Sequence, residues 1–256
     1  MRKRQKFVLT AVVVAGGVLG VQSLNLGWRY LAVGLLAVLS WVLSAWSLRE
    51  GLSGWEWLTV LVPPAVFTAA VGLFYILLPQ SWWAKLLVGF LIGIGEYAVL
   101  LTANIFSVAA IRTIALLRAA HAVGFVMTIL TGFFLFDTVM SFRLDWWANG
   151  LLAAGVGVIL IMPALWSVEL LEKVERNIWL YSVTLGGCIG TLAMAVSFWP
   201  MNTVVNSLFL TTSLYVFLGV AQHHFTQRLF KRTIWEYLTV GVVVLVTMLA
   251  TSGWGV

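Results

Sequence analysis

The run WAKLLVGFLIGIGEYAVLLTANI, residues 83–105, decides the fold. At ~1.5 Å of rise per residue a helix of this length crosses a ~30 Å hydrocarbon core. The charged residues within it are Lys85, near its start, and Glu96, deep inside. It lacks the apolar-polar alternation of a membrane β-strand, so it reads as a transmembrane helix.

Eight more runs of this kind lie around it, at about 7–24, 29–48, 57–78, 119–141, 146–167, 178–199, 203–223 and 234–254. Nine spans predict an all-α polytopic bundle forming a single transmembrane domain over residues 1–256, with its termini on opposite faces. The connections are too short to hold a soluble domain. The two longest, 106–118 and 168–177, are expected to be helical extensions or surface-lying segments.

Composition agrees: 62% of residues are hydrophobic, 9% are charged, and the mean hydropathy is +1.02. So few charges cannot cover a water-facing surface, whereas helices in lipid pair their backbone groups internally. The net charge of +6 does not point to nucleic acid, because the basic residues are scattered through short loops and form no stripe.

Those residues orient the chain instead. With the N-terminus in the cytoplasm, twelve lysines and arginines fall in cytoplasmic loops, and Arg29, Lys85 and Arg143 fall outside. Thirteen of the fourteen tryptophans, all but Trp41, sit near a segment end, the headgroup level this side chain favours. MRKRQK followed by an apolar stretch from Phe7 resembles a signal peptide, but no A-x-A site precedes Gln22, so the segment is expected to stay as the first span. Its removal would leave eight.

WWAKLLVGFLIG from Trp82 is similar to WWANGLLAAGVG from Trp146. An ancestral duplication produces such a match, and so do shared interfacial tryptophans followed by glycine-rich packing. Cys188, the one cysteine, excludes an internal disulfide, a CxxC pair and a thiolate cage, and is expected to be a small packing residue.

Glu96 is the leading candidate for function. Counted from Trp83 it lies about 20 Å into the span, where an ionisable group costs several kcal/mol and faces a bundle interior or a hydrated cavity. Gly89-x-x-x-Gly93 lies on nearly the same helix face, so Glu96 is expected to meet a neighbouring helix. Two readings fit: a protonatable or cation-coordinating carboxylate on a transport path, and a protonated glutamate that fixes packing. No basic residue matches its depth, and the uncharged partners at that level are Thr128, Thr184 and Tyr215.

Asp137 lies about 24 Å along its span from His121, close to the outer interface. It is expected to reach headgroup water or Arg143. His121, His223 and His224 gather at the cytoplasmic side, where they are interfacial polar residues or, with Glu169, Glu172 or Glu175, a haem or metal site. No HxxxH, HExxH or Glu-x-x-His spacing supports ligation, so no cofactor is expected.

Arg112, Arg118, Arg228, Lys231 and Arg232 form basic cytoplasmic loops suited to anionic headgroups or to a protein partner. Glu169 with Lys173, and Glu172 with Arg176, support helix beyond the sixth span. Pro63-Pro64 predicts a kink in the third. The last span has no lysine for a Schiff base, and GxxxxGK[ST], GxSxG and HExxH are absent, so no catalytic motif is recognisable.

The stretch from Glu96 through LLTANIFSVAAIRTIALLRAAHAVGF to FDTVMSFRL, with LFKRTIWEYLTVGVVV, resembles an uncharacterised family of bacterial multi-pass membrane proteins. The resemblance implies a bacterial inner membrane and transfers no activity, cofactor or site. Three functions remain open. The first is a small transporter or translocation subunit with Glu96 on its path, and the second a scaffold assembling with itself or other membrane proteins. The third is a lipid-active or haem-binding enzyme.

Overall fold

The computed structural model describes residues 3–49, 52, 54–109, 116–170 and 174–251. Every regular element among them is an α-helix: α1 (Lys3–Val21), α2 (Leu26–Leu48), α3 (Glu56–Thr59), α4 (Val62–Leu77), α5 (Trp82–Ala109), α6 (Leu117–Ser141), α7 (Trp146–Glu169), α8 (Arg176–Ser197), α9 (Thr203–Phe225) and α10 (Lys231–Thr251). With α3 and α4 taken together as Glu56–Leu77, nine of these are long and apolar enough to cross a membrane. They match the nine expected spans within a few residues.

The third span loses its regular helical hydrogen bonds at one point. Pro63 and Pro64 lack the N–H that would bond the carbonyls of Thr59 and Val60, so helix cannot continue through them. Val60 and Leu61 stay in the right-handed helical region between α3 and α4, and α4 carries proline in its first turn, where a missing donor costs nothing. Of the connection at 168–177, expected to be a helical extension or a surface-lying segment, only the two ends are helical among the described residues. Helix α7 stops at Glu169, Leu170 takes a left-handed φ of 51°, and α8 begins at Arg176. Residues 171–173, with Glu172 and Lys173, lie outside the described residues, as do Arg112 and Trp254.

The chain divides into two compact units, Met1–Thr131 with Leu170–Lys173, and Gly132–Glu169 with Val174–Val256. In the first, α1 packs against α5, α2 and α4, and α4 packs against α2 and α5. Phe7, Thr10, Ala11, Val14, Val18 and Val21 recur at helical spacing and form the inward face of α1. On α2 the usual polarity is reversed. Leu31, Leu35, Val38 and Val42 face outward, while Ser40, Ser44 and Ser47 are buried. That arrangement suits lipid, which leaves the protein interior as the favourable place for hydroxyls.

In the second unit α7 and α8 form the closest pair, α9 packs on both, and α10 packs on α9. Small residues let α7 and α8 approach at backbone distance. A methyl carbon at Gly190 would sit 2.7 Å from the carbonyl oxygen of Gly150, and one at Gly157 would sit 2.9 Å from the Cα of Gly186.

The WWA likeness is not repeated in the packing, since α5 lies against α1 and α4 whereas α7 lies against α8 and α9. Two other expectations are corrected. Cys188 is exposed on α8 and packs nothing, because the small-residue face of that helix runs through Gly186 and Gly190 instead. Trp166 belongs to no interfacial belt: it is fully buried and helps form the apolar core of the second unit. The paired Trp82/Trp83 and Trp146/Trp147 are exposed at helix starts, as a belt requires.

Candidate functional site

The inward face of α5 is set by Val88, Ile92, Gly95, Glu96, Val99, Leu100 and Ala103, which recur every three to four residues. Glu96 therefore points into the first unit, and it is wholly buried. Ser40 on α2 donates a 2.7 Å hydrogen bond to one carboxyl oxygen, and Thr68 on α4 donates a 3.2 Å bond to the other. Both hydroxyl residues are themselves fully buried, so one side chain joins three helices through neutral partners.

Apart from Glu96, the charged side chains of α1, α2 and α5 (Lys3, Arg4, Lys6, Arg29 and Lys85) lie near the ends of those helices, and α4 has none.

The choice of partners differs from the expectation. Thr128 bonds the carbonyl of Gly124 on its own helix, Thr184 is exposed on α8, and the ring of Tyr215 lies tilted at 5.0 Å from that of Tyr237. Helical Ser and Thr ordinarily return their proton to the carbonyl four residues back, as Thr102, Thr128 and Thr131 do here. Ser40 and Thr68 forgo that bond for Glu96. The signal for one of them was present in the sequence, because serines at 40, 44 and 47 mark a single face of α2.

The glycine that lets α5 come close is Gly95. Space is open around Gly93, and Gly89 meets only the end of Leu19, whereas a Cβ at Gly95 would collide with the ring of Phe67, the residue preceding Thr68. Phe67 is fully buried and has little room to retreat. Gly95→Ala is therefore expected to cost about 1–3 kcal/mol by overpacking, measured as a lower thermal midpoint in detergent. Gly93→Ala serves as the neutral control.

Gln22 closes the other end of this unit. Its amide donates to the carbonyls of Tyr75 at 3.0 Å and Leu78 at 3.4 Å, satisfying orphan acceptors at the end of α4. Arg29 in turn donates to the carbonyls of Gln22 and Leu24.

In the second unit Asp137 is buried and does not reach out to Arg143, which is exposed. Its carboxylate accepts a 3.0 Å bond from Ser207 on α9. Inward rotation of α6 at this level explains the difference: Asp137 falls on the face that also buries Phe134, Phe136 and Met140. Nearby on α7, the Asn149 amide donates to Ser197 and to the carbonyl of Leu144.

Each histidine has its own local neighbours. His121, in the first unit, lies 5.4 Å from the ring of Phe106. In the second, His223 sits 2.9 Å from the carbonyl of Gly219 with its ring edge-on to Tyr237, and His224 lies 3.2 Å from the hydroxyl of Tyr181. Among the described residues no three His, Cys, Asp or Glu side chains come together as metal ligands.

The basic loop residues Arg118, Arg228, Lys231 and Arg232 are all described. Arg118 is exposed in the first turn of α6, and Arg232 forms a surface pair with Glu236.

Chemically, the enclosed carboxyl of Glu96 can take up and release a proton at the depth of a bilayer core. No curated protein and no solved structure matches the chain. A family match does cover residues 8–251, nearly the whole sequence, and the chain accordingly belongs to the family described as Protein of unknown function (DUF5656).

Proposed function

We propose that this protein is a small transporter or translocation subunit of a bacterial inner membrane that moves a proton or small cation. Glu96 is the ion-binding carboxyl. The observation that carries this reading is the placement of Glu96 at mid-span, wholly buried, with each oxygen held by a hydroxyl from a different helix. A carboxyl at that depth costs several kcal/mol that a serine or leucine would not. Retaining it makes sense where its proton exchange is used.

A further support is that Thr68 sits on α4, the helix that restarts after the break at Val60 and Leu61. Discontinuous helices commonly form substrate and ion sites in transporters. The positive-inside bias favours a cytoplasmic N-terminus, with Lys3, Arg4 and Lys6 at the inner surface.

A second reading, a non-catalytic scaffold, draws on the same contacts, because Glu96 ties α2, α4 and α5 together. Proteoliposomes loaded with a pH-sensitive dye and driven by a potassium diffusion potential separate the two. Glu96→Gln keeps the shape and hydrogen-bonding capacity of the side chain but cannot exchange a proton. It is expected to abolish potential-driven proton or cation uptake with the thermal midpoint little changed. Uptake equal to wild type would overturn the transport reading and leave the scaffold.

A further inference from the structure

Glu96 is connected toward one end of the first unit by a line of buried hydroxyls. Ser40, Ser44 and Ser47 follow at i, i+4 and i+7 on the inward face of α2, each no more than 1% exposed. Ser40 holds Glu96 at 2.7 Å. At the other end of the line Ser47 lies 3.2 Å from the hydroxyl of Thr10 on α1, itself fully buried. One turn before Thr10, the Lys6 ammonium rests 5.1 Å from the ring of Trp46, the neighbour of Ser47. The line thus runs from mid-span to the charged beginning of α1.

A second observation concerns Ser44. Its hydroxyl is buried and has no protein partner, not even the carbonyl one turn back that most buried helical hydroxyls here bond. An unmet hydroxyl in an apolar setting is costly, and a bound water is the partner that removes the cost. The flanking serines supply that water with further contacts, since side chains three and four residues apart on a helix stand about 5–6 Å apart. That gap is too long for a direct bond and suits one bridging water on each side.

We propose that the serine face of α2, continued by Thr10, is a water-assisted proton relay between Glu96 and the Lys6 end of α1. The inference rests on the reading of Glu96 as an exchanging carboxyl. A proton from water at the Lys6 end is accepted on a lone pair of the Thr10 or Ser47 hydroxyl, which releases its own proton to the water between Ser47 and Ser44. That water protonates the Ser44 hydroxyl, which releases its own proton to the water between Ser44 and Ser40; this second water passes a proton to Ser40, and the Ser40 hydroxyl proton completes the transfer to the Glu96 carboxylate. Only O–H bonds form and break, each hydroxyl ends neutral, and the reverse sequence empties the site.

The test is infrared spectroscopy of the full chain in lipid nanodiscs. The carbonyl stretch of a protonated buried acid is assigned by its loss in Glu96→Gln, and its shift is timed after transfer into deuterated water. Ser44→Ala and Ser47→Ala are each expected to slow the shift by about an order of magnitude, because a bridging water loses an anchor. The thermal midpoint of Ser44→Ala should stay near wild type, since removing an unpartnered hydroxyl breaks no protein contact, whereas Ser47→Ala also loses the bond to Thr10.

Exchange in both variants as fast as in wild type would overturn the relay, and so would the absence of a band assignable to Glu96. If Glu96→Gln instead leaves ion uptake intact while Ser44→Ala slows exchange, the relay stands and the transport reading falls.

Discussion

Replacing Gly190 or Gly186 with leucine is expected to abolish the native pairing of α7 with α8. Both positions face backbone. A methyl carbon at Gly186 would lie 2.9 Å from the carbonyl oxygen of Ala154 and 2.9 Å from the amide nitrogen of Val158, and one at Gly190 would lie 2.7 Å from the carbonyl of Gly150. Backbone cannot rotate away as a side chain does, so the helices must separate along their length. Alanine at either position should cost about 1–3 kcal/mol, and leucine more.

In lipid no hydrophobic force restores such a pair, because acyl chains are as apolar as leucine and association depends on close contact. The measurement is loss of helical signal or of monodispersity on heating in mild detergent. Gly187→Ala is the internal control. Nothing lies within 4 Å of a Cβ there, so its midpoint should match or exceed wild type. If Gly186→Ala and Gly187→Ala behave alike, the close approach of α7 and α8 is wrong.

The second large effect is on function without folding. Glu96→Leu replaces a buried carboxyl with an apolar side chain of similar reach. Ser40 and Thr68 can then turn back to the carbonyls of their own helices, the arrangement already adopted by Thr102 and Thr131. Exchanging a buried polar network for a packed apolar residue is often neutral or stabilising, so the folding free energy should change by no more than about 1–2 kcal/mol.

Ion uptake should nevertheless disappear. A scaffold predicts no uptake in wild type to lose. Glu96→Ala adds a stability readout: it leaves a cavity among three helices and should lower the midpoint further than leucine does.

The nine spans were legible because each is a long apolar run whose solvent is fixed by composition, and tertiary context has little room to override that. Pro63-Pro64 likewise announced an interruption, although a kinked single helix and a helix restarted at Val62 look the same in sequence. The depth of Glu96 was legible too, since it follows from counting residues. Its partners were not.

Which of many hydroxyls at one depth reaches a carboxyl depends on which helices are neighbours, and nine similar apolar helices carry almost no local signal for that. The same blindness explains the choice of Gly93 over Gly95, a difference of two positions that only the place of Phe67 decides. Asp137 was misjudged for a related reason. Its depth allowed snorkelling, but the rotation of α6 gave it Ser207 instead.

Helix α10 shows how far a span can depend on so little of the protein. Among its described residues Met248 alone is buried. Tyr237 fastens it to α9, lying across Gly219 and between Tyr215 and His223, three residues on one face of that helix. Beyond that anchor, the meeting of Gly241 with Val216 and the buried Met248, most described residues of α10 are exposed apolar side chains, a surface whose sequence answers mainly to bilayer thickness. Most of its positions should drift freely among valine, leucine, isoleucine and phenylalanine, while Tyr237 and Gly219 change only together.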